Sequence, residues 1–245
     1  MILRSITKHV RDQNWFAVGI DFFIVIVGVF IGIQVANWNE ARVETEREAI
    51  YLAALREDFS QIIAELEADA RSYETMANAM TFLVGESQKP SPDASVADLN
   101  SAAEQLIRME GTPIVADTYS NLTGSGDLSI IKSQALKNEL ASFYSSTDVI
   151  QLVANTHELQ LVNIFQPYII KNLDYAVLLE DDRGLPRPPV SAPEEILAAL
   201  STQEFRNVIS VKWDITTDIR NLLLGALERA REVETRLVQE SEDQS

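Results

Sequence analysis

Few residues of this 245-residue chain have side chains suited to chemistry. There are two histidines, His9 and His157, and there is no cysteine, which excludes disulfides, thiol nucleophiles and zinc–thiolate sites. His157 falls on the apolar face of a predicted helix, so we expect a core histidine hydrogen-bonded to a carboxylate or carbonyl rather than a metal ligand. A di-iron site between helices needs Glu-x-x-His, but the residue three positions before His157 is Ala154.

Carboxylates form three local clusters, which are Glu57–Asp58, Glu65 with Glu67 and Asp69, and Asp181–Asp182. We interpret the first two as exposed helical faces and the third as part of a loop. A weak divalent-cation site at residues 180–182 is the alternative.

Two glycines in the segment GSGDLSIIK (residues 124–132) raise the possibility of a phosphate-binding loop. Such a loop needs a Lys-Ser/Thr pair and a preceding strand, and this segment has neither. We interpret it as a helix end followed by a restart. One candidate histidine also makes a catalytic triad improbable. The sequence therefore predicts no enzyme, no cofactor and no metal site.

The net charge of −17 lies almost entirely in one part of the chain. Residues 1–38 carry three basic and two acidic side chains, whereas residues 39–245 carry 17 basic and 35 acidic ones. A domain this acidic repels phosphate backbones, which argues against a nucleic-acid partner. We interpret the charge as a solvated acidic surface.

The segment Trp15 to Trp38 predicts a transmembrane helix. Its 24 residues span roughly 36 Å as a helix, enough to cross a hydrocarbon core of ~30 Å. Residues 22–36 contain eleven Phe, Ile or Val residues, which favour insertion by about 3–7 kcal/mol. Asp21 opposes insertion by at most about 3 kcal/mol. Trp15 and Trp38 suit the two membrane interfaces, so we predict that the lipid bilayer is one partner.

The start of the chain also resembles a signal peptide because it is basic. The span ends in IQVANW without a small-residue cleavage site, however, and a helical pattern continues beyond it. We therefore favour an uncleaved anchor. Residues 1–14 alternate apolar and basic side chains, which indicates either an amphipathic segment on the headgroups or a merely polar terminus.

One face of the predicted span carries small and polar residues. Gly28, Gly32 and Ala36 are spaced by four, and Asp21 falls near the same line. Small residues at this spacing let helix backbones approach closely, so we predict a packing face toward a second copy or another membrane protein. Plain lipid exposure is the alternative, and a proton relay through Asp21 is a third.

Beyond Trp38 an apolar seam continues the helix. Two sets of residues recur every seven positions, interrupted only by Asp69, and give the 3–4 alternation of a coiled coil or helix-packing seam. The members are Leu52, Leu55, Phe59, Ile62, Leu66, Tyr73, Met76, Met80 and Leu83. No Pro or Gly interrupts residues 37–84, so we predict one helix from the membrane to Val84.

The rest of the chain is also predicted to be helical. The expected pieces are Ser95–Met109, residues 114–123, a helix from the cap Ser133 to Phe165 that Pro167 ends or kinks, Ile169–Leu179, Glu194–Leu200, and a last helix from the cap Ser201 to Gln239. Residues 85–95 and 181–193 are predicted loops, and the latter has four prolines.

The predicted fold class is all-α. Long helices with one apolar stripe each must pack together, so we expect the membrane helix to continue into an antiparallel helical bundle. The domains are a juxtamembrane segment (1–14), a transmembrane helix (15–38), a bundle (39–240) and a polar tail (241–245).

Two segments of the chain contain distinctive motifs. The first is IGIQVANWNEAR (residues 31–42), with its Asn37-Trp38-Asn39-Glu40 motif, and the second is TYSNLTGSGDLSIIKSQALKNELASFY (residues 118–144). Both resemble a bacterial family of single-span membrane proteins that is defined as a domain of unknown function, although the family has Gly-Glu where this chain has Gly19-Ile20-Asp21. The resemblance covers most of the chain and implies a membrane anchor and helices, but no activity, cofactor or catalytic residue.

These observations favour a single-pass protein of the bacterial inner membrane. We predict that it is non-enzymatic and that it associates with itself or binds another membrane protein. Basic residues are denser before the span than after it, which favours a periplasmic over a cytoplasmic domain. The alternative function is an extracytoplasmic ligand-sensing domain that acts through a partner subunit.

Overall fold

The computed structural model describes residues 15–111, 114–179 and 194–242, where every regular element is helical and there is no strand. The all-helical class is thus confirmed. The helices are α1 (Trp15–Ser87), α2 (Val96–Glu104), α3 (Asp117–Ser125), α4 (Gln134–Gln160), α5 (Gln166–Asn172), α6 (Glu195–Leu200) and α7 (Gln203–Glu242). A π-helical turn, Leu161–Phe165, joins α4 to α5, and Asp127–Ile130 and Tyr175–Leu178 are short 3-10 helices.

The long N-terminal helix is confirmed and is 73 residues long. It ends three residues beyond the predicted Val84, where the hydroxyl of Ser87 donates to the Val84 carbonyl at 2.7 Å. The chain divides into two units, Met1–Ile50 and Tyr51–Ser245, and α1 contributes to both.

In the first unit, the described apolar side chains of α1 are largely exposed. Phe22, Phe30 and Val35 expose 67%, 61% and 58% of their surface. One helix in the described chain, this one, is long and apolar enough to cross a membrane. The predicted segment 1–14 lies outside the described residues.

In the second unit, all nine seam residues of α1 are buried, each with at most 2% of its surface exposed. They share one core with the stripes of the later helices. Phe59 and Phe143 lie with ring centroids 5.0 Å apart, for example. Ion pairs at the edge of this core are Glu67 with Arg231, Glu74 with Arg220, and Glu139 with Arg236.

The helix after Ser133 differs from its prediction near Pro167. Ser133 caps α4 by accepting from the Leu136 amide at 3.3 Å. Pro167 does not end the helix, because the π turn before it relieves the clash that its ring would make with a regular helix. The wider turn shifts the register by one residue, so Phe165 is buried, whereas Ile164, which a regular helix would place on the side of His157, is 38% exposed.

Several predicted helix ends were also wrong. α2 ends at Glu104 rather than Met109, and α3 ends before Gly126, which has a left-handed φ of 79°, rather than at Gly124. Thr202, not Ser201, caps α7, since its hydroxyl accepts from the Phe205 amide at 3.1 Å.

The last helix also runs further than predicted. α7 includes Ser241 and Glu242, which we had assigned to the polar tail. Residues 243–245 and the predicted loop 181–193 lie outside the described residues.

Candidate functional site

Three polar side chains meet inside the apolar core of the second unit. Tyr73 of α1, His157 of α4 and Lys212 of α7 expose 1%, 0% and 0% of their surface. Each lies on the apolar stripe of its helix, so packing of the three stripes brings them together. The coil after α2 closes the cluster, and Leu106, which is fully buried, anchors that coil in the core.

The cluster is a continuous hydrogen-bonded chain. Lys212 Nζ lies 2.7 Å from His157 Nε2 and donates to the Arg108 carbonyl at 2.6 Å. Tyr73 Oη lies 3.4 Å from His157 Nδ1 and donates to the Glu110 carbonyl at 2.6 Å. Two backbone carbonyls of the coil therefore accept the hydrogen bonds at the two ends of the chain.

These contacts assign the tautomer of His157. The phenol proton of Tyr73 is directed at the Glu110 carbonyl, so Nδ1 of His157 must donate to the Tyr73 oxygen. Nε2 is then unprotonated and accepts from the amine of Lys212. Each polar atom in the chain has a partner, which is the condition for burying polar groups at acceptable cost.

Burial also shifts the protonation equilibria of the cluster. It lowers the pKa of Lys212 to about 7, because the charged ammonium is poorly solvated in the core. Burial and, secondly, the nearby charge of Lys212 lower the pKa of His157 to about 3. The neutral imidazole required by the assigned tautomer is therefore the form present at neutral pH.

Phe165 completes the surroundings of the amine. Lys212 Nζ lies 5.0 Å from the centre of its ring, within the range of a cation–π contact. The same ring meets that of His157 edge-on, with centroids 6.3 Å apart. Phe165 reaches this position because of the π turn, so the irregular turn shapes the cluster directly.

The closed geometry limits the chemistry of the cluster. A lysine with a lowered pKa can act as a base or form a Schiff base, but the buried Lys212 has no exposed surface for a substrate to reach. No group of three or more carboxylate or imidazole ligands that could hold a metal occurs among the described residues. Through its hydrogen bonds the cluster can hold three helices and a coil in one arrangement.

Tyr73 also belongs to the wall of a cavity of about 670 Å³. The lining comes from α1, the coil at Met109–Gly111, α4 and α7. Glu65 and Asp69, which we predicted on an exposed face, are half-buried in its wall. Glu67 lies outside the cavity and pairs with Arg231 at 2.5 Å.

The structure describes some, but not all, of the residues predicted to pack within the membrane or to lie at its interfaces. Gly28, Gly32 and Ala36 are exposed, as is Trp38 at 70%. An added Cβ at Gly28 or Gly32 would have no neighbour within 4 Å. The side chains of Trp15 and Asp21 lie outside the described part of the chain, as do His9 and residues 180–182.

Sequence reasoning placed His157 in the core but chose the wrong partners. Its neighbours are Lys212 and Tyr73 rather than a carboxylate or carbonyl. Lys212 was missed altogether. One signal was present, since the stripe of α7 passes from Ile209 to Ile215 and Lys212 occupies the helical position between them.

Comparison of the chain with models of protein families, with curated proteins and with solved structures found no match.

Proposed function

We propose that this chain is a single-span membrane protein of the bacterial inner membrane, with a periplasmic helical bundle that associates with itself or with another membrane protein. The observation that carries the proposal is the exposure of the apolar run at residues 22–36, in which no side chain is buried. Water does not stabilise such a surface, whereas a bilayer does. The resemblance around Asn37-Trp38-Asn39-Glu40 agrees with this proposal.

The contacts in the second unit support an antiparallel bundle. Glu67 pairs with Arg231 and Glu74 pairs with Arg220, so residue numbers rise along α1 as they fall along α7. Helices that run in opposite directions around a shared apolar core are the elements of such a bundle. The buried Tyr73–His157–Lys212 cluster supports a structural rather than a catalytic role, since no substrate can reach its amine.

The exposed small residues support association within the membrane. Gly28 and Gly32 leave a shallow strip on α1, where a Cβ added at either glycine would meet nothing within 4 Å beyond its chain neighbours and the helix backbone. Such a strip allows a second helix to approach closely, and van der Waals contact along it stabilises the pair.

Crosslinking in native membranes tests this proposal. We expect a crosslinked dimer or a complex with one other membrane protein for the wild type, and loss of that product for Gly28→Leu/Gly32→Leu. The matched control, Val27→Phe/Ile31→Phe, adds bulk at the same spacing but about 100° around the helix from each glycine, and is expected to keep the product. A strictly monomeric wild type without a partner contradicts the proposal. A topology reporter fused after Ser245 tests the periplasmic location.

The cavity favours a second candidate, a ligand-sensing domain that acts through a partner subunit. Its volume of about 670 Å³ lies within the range of small-molecule sites. Thermal-shift screening of small metabolites tests this function, because a ligand at 100 times its Kd stabilises the folded state by ~2.7 kcal/mol. Absence of any specific stabiliser would argue against sensing.

A further inference from the structure

We propose that the exposed face of α4 pairs with the same face of a second copy of this chain, with the two helices parallel. The inference rests on the proposed self-association and adds the surface of the second unit through which it occurs. It depends on six exposed residues, which we call the α4 seam: Ser142, Ser145, Val149, Leu152, Thr156 and Leu159.

The α4 seam has the spacing of a helix-pairing face. Its residues follow one another in alternating steps of three and four, which places them along one side of the helix. Phe143, Ile150 and His157 recur every seven residues on another side, and that side packs against the core. The α4 seam therefore faces away from the core, and Leu152 and Leu159 expose 67% and 64% of their surface.

The α4 seam contains no charged residue, whereas the exposed face of another long helix is charged. Asp214, Asp218 and Glu228 are exposed on α7, for example. A solvated helix face ordinarily carries such residues. Depletion of charged residues is a property of interface cores, and large apolar side chains exposed in one place mark interaction sites.

The charge of the chain favours a second copy as the partner at this face. Residues 39–245 carry 17 basic and 35 acidic side chains, so two copies repel each other wherever their acidic surfaces meet. The uncharged α4 seam avoids this repulsion, because the flanking Asp148 lies opposite Val153 of the second copy when parallel helices pair in register. A basic partner would be attracted to the acidic surfaces instead.

The residue types of the α4 seam favour parallel helices. Val149 and Thr156 are β-branched and are seven residues apart, and Leu152 and Leu159 form the other seven-residue set. A β-branched residue at one seam position with leucine at the other is the combination that favours parallel, two-stranded coiled coils.

The direction of α4 is compatible with two anchors in one membrane. Phe59 of α1 packs against Phe143 of α4, and Tyr73 lies beside His157, so residue numbers rise together along the two helices. Two copies with parallel α4 helices therefore also have parallel α1 helices within their second units. The N-terminal ends of those α1 segments, which continue into the proposed anchors, then lie at the same end of the pair.

The area of the α4 seam suits copies that are already held together. Val149, Leu152 and Leu159 are each about half exposed or more, and pairing removes on the order of 200 Å² of their apolar surface from water in each copy. A standard interface buries ~800 Å² per partner. Two copies anchored in one membrane meet at a high effective concentration, so a smaller surface is sufficient.

Disulfide trapping in native membranes tests this pairing, because the chain has no cysteine of its own. Ser145→Cys and Thr156→Cys each place one thiol in the α4 seam, where parallel pairing brings it next to its counterpart, within the roughly 4.4–6.8 Å between Cα atoms that a disulfide needs. We expect both variants to form disulfide-linked dimers on oxidation. The control Glu158→Cys, exposed on another side of α4, is expected to stay monomeric.

Three results of this experiment overturn the proposal. One is the absence of a dimer in either seam variant, which excludes parallel pairing in register. Another is a dimer that forms as readily with Glu158→Cys, which indicates random collision. The third is a disulfide between a seam cysteine and a different protein, which assigns the face to another partner.

Matched double variants test whether the exposed leucines hold the pair. In the Ser145→Cys background, Leu152→Ser/Leu159→Ser is expected to lose the disulfide-linked dimer because it removes the apolar side chains of the α4 seam. The control Gln151→Ser/Glu158→Ser changes two exposed residues at the same spacing on another side of α4 and is expected to keep the dimer. Circular dichroism shows whether each variant is folded, and an undiminished dimer in folded Leu152→Ser/Leu159→Ser overturns the proposal.

The pairing of α4 and the proposed association within the membrane fail differently. If crosslinking of the wild type gives a product that Gly28→Leu/Gly32→Leu loses, but neither seam cysteine forms a disulfide, the α4 pairing falls and the association within the membrane stands. If neither experiment gives a product, both fall.

Discussion

The two parts of helix α1 contain similar apolar residues and place them in opposite environments. Phe30 in the first unit exposes 61% of its surface, whereas Phe59 in the second exposes none. Between residues 22 and 36 the apolar side chains surround the helix, and between residues 52 and 83 they form a stripe. The arrangement of apolar residues, more than their number, distinguishes the two parts.

The difference shows what each part requires from its surroundings. A stripe can be buried by other amphipathic helices of the same chain, and the second unit does so. A helix that is apolar on every side would need to be enclosed completely, and the first unit leaves it exposed. It therefore requires an apolar solvent, which is why we propose a membrane anchor.

The largest expected effect comes from substitutions that oppose membrane insertion of the exposed apolar segment of α1. In Val29→Asp/Ile33→Asp, two carboxylates near the middle of the span oppose insertion by about 5–7 kcal/mol, as much as its apolar residues supply. We expect alkaline carbonate to release this variant from vesicles and to leave the wild type bound. The control Val43→Asp/Ile50→Asp changes exposed positions outside the run and should stay bound. Release of the wild type would refute the anchor.

The second prediction compares a Phe→Ala substitution in the buried part of α1 with one in its exposed part. Phe59→Ala leaves a cavity in the core and is expected to lower the free energy of unfolding by about 3–5 kcal/mol. Phe30→Ala removes a side chain that the unit Tyr51–Ser245 does not need, and should leave the unfolding of that unit unchanged. Urea unfolding in micelles, followed by circular dichroism, measures both. Equal losses in the two variants would show that the comparison is wrong.

The third prediction concerns the pH dependence that the buried amine of Lys212 gives to the free energy of unfolding. In the folded chain, burial lowers the pKa of Lys212 to about 7, whereas in the unfolded chain the amine keeps its ordinary, higher pKa. Between pH 7 and about 9.5 the amine is therefore protonated in the unfolded chain and largely neutral in the folded chain. The free energy of unfolding therefore decreases as pH falls through this range, by on the order of 3 kcal/mol.

Unfolding of the wild type and Lys212→Met at pH 7 and 9.5 measures this contribution. We expect the variant to lose most of the pH dependence. The control Lys171→Met removes an exposed amine and should retain it. Identical pH profiles for wild type and Lys212→Met would mean that the buried amine is not the source.

The smallest expected effect concerns the side-chain hydrogen bond that caps the first turn of α7. Thr202→Ala removes the side-chain cap of α7 and is expected to cost about 1 kcal/mol in unfolding free energy. Ser201→Ala, at the neighbouring residue, should cost less because its hydroxyl contacts the Ala198 carbonyl instead. A larger loss for Ser201→Ala would support the cap that the sequence pattern favoured.

Much of the fold was predictable because it depends on spacing along one helix. The seven-residue repeat from Leu52 to Leu83 identified positions that the structure buries, since residues at this spacing lie on one side of a helix. The sequence left open whether Pro167 ends or kinks its helix, and no local pattern reveals the π turn that lets the helix continue. That turn buries Phe165, whereas a regular helix would place Ile164 on the buried side.

The candidate site was less predictable because its members are distant in sequence. Lys212 was not among the residues predicted for the core, although the stripe of α7 continues through its position. The half-buried positions of Glu65 and Asp69 depend on a coil and two later helices that no spacing within α1 can reveal.

The sequence by itself determined the helical class, the long N-terminal helix and its apolar run, because these depend on local periodicity and composition. Only the tertiary structure decided that Tyr73, His157 and Lys212 form one hydrogen-bonded chain beside a cavity. Hydrogen bonds between side chains on three helices depend on how those helices pack. That arrangement minimises the free energy of the whole core rather than of any single segment.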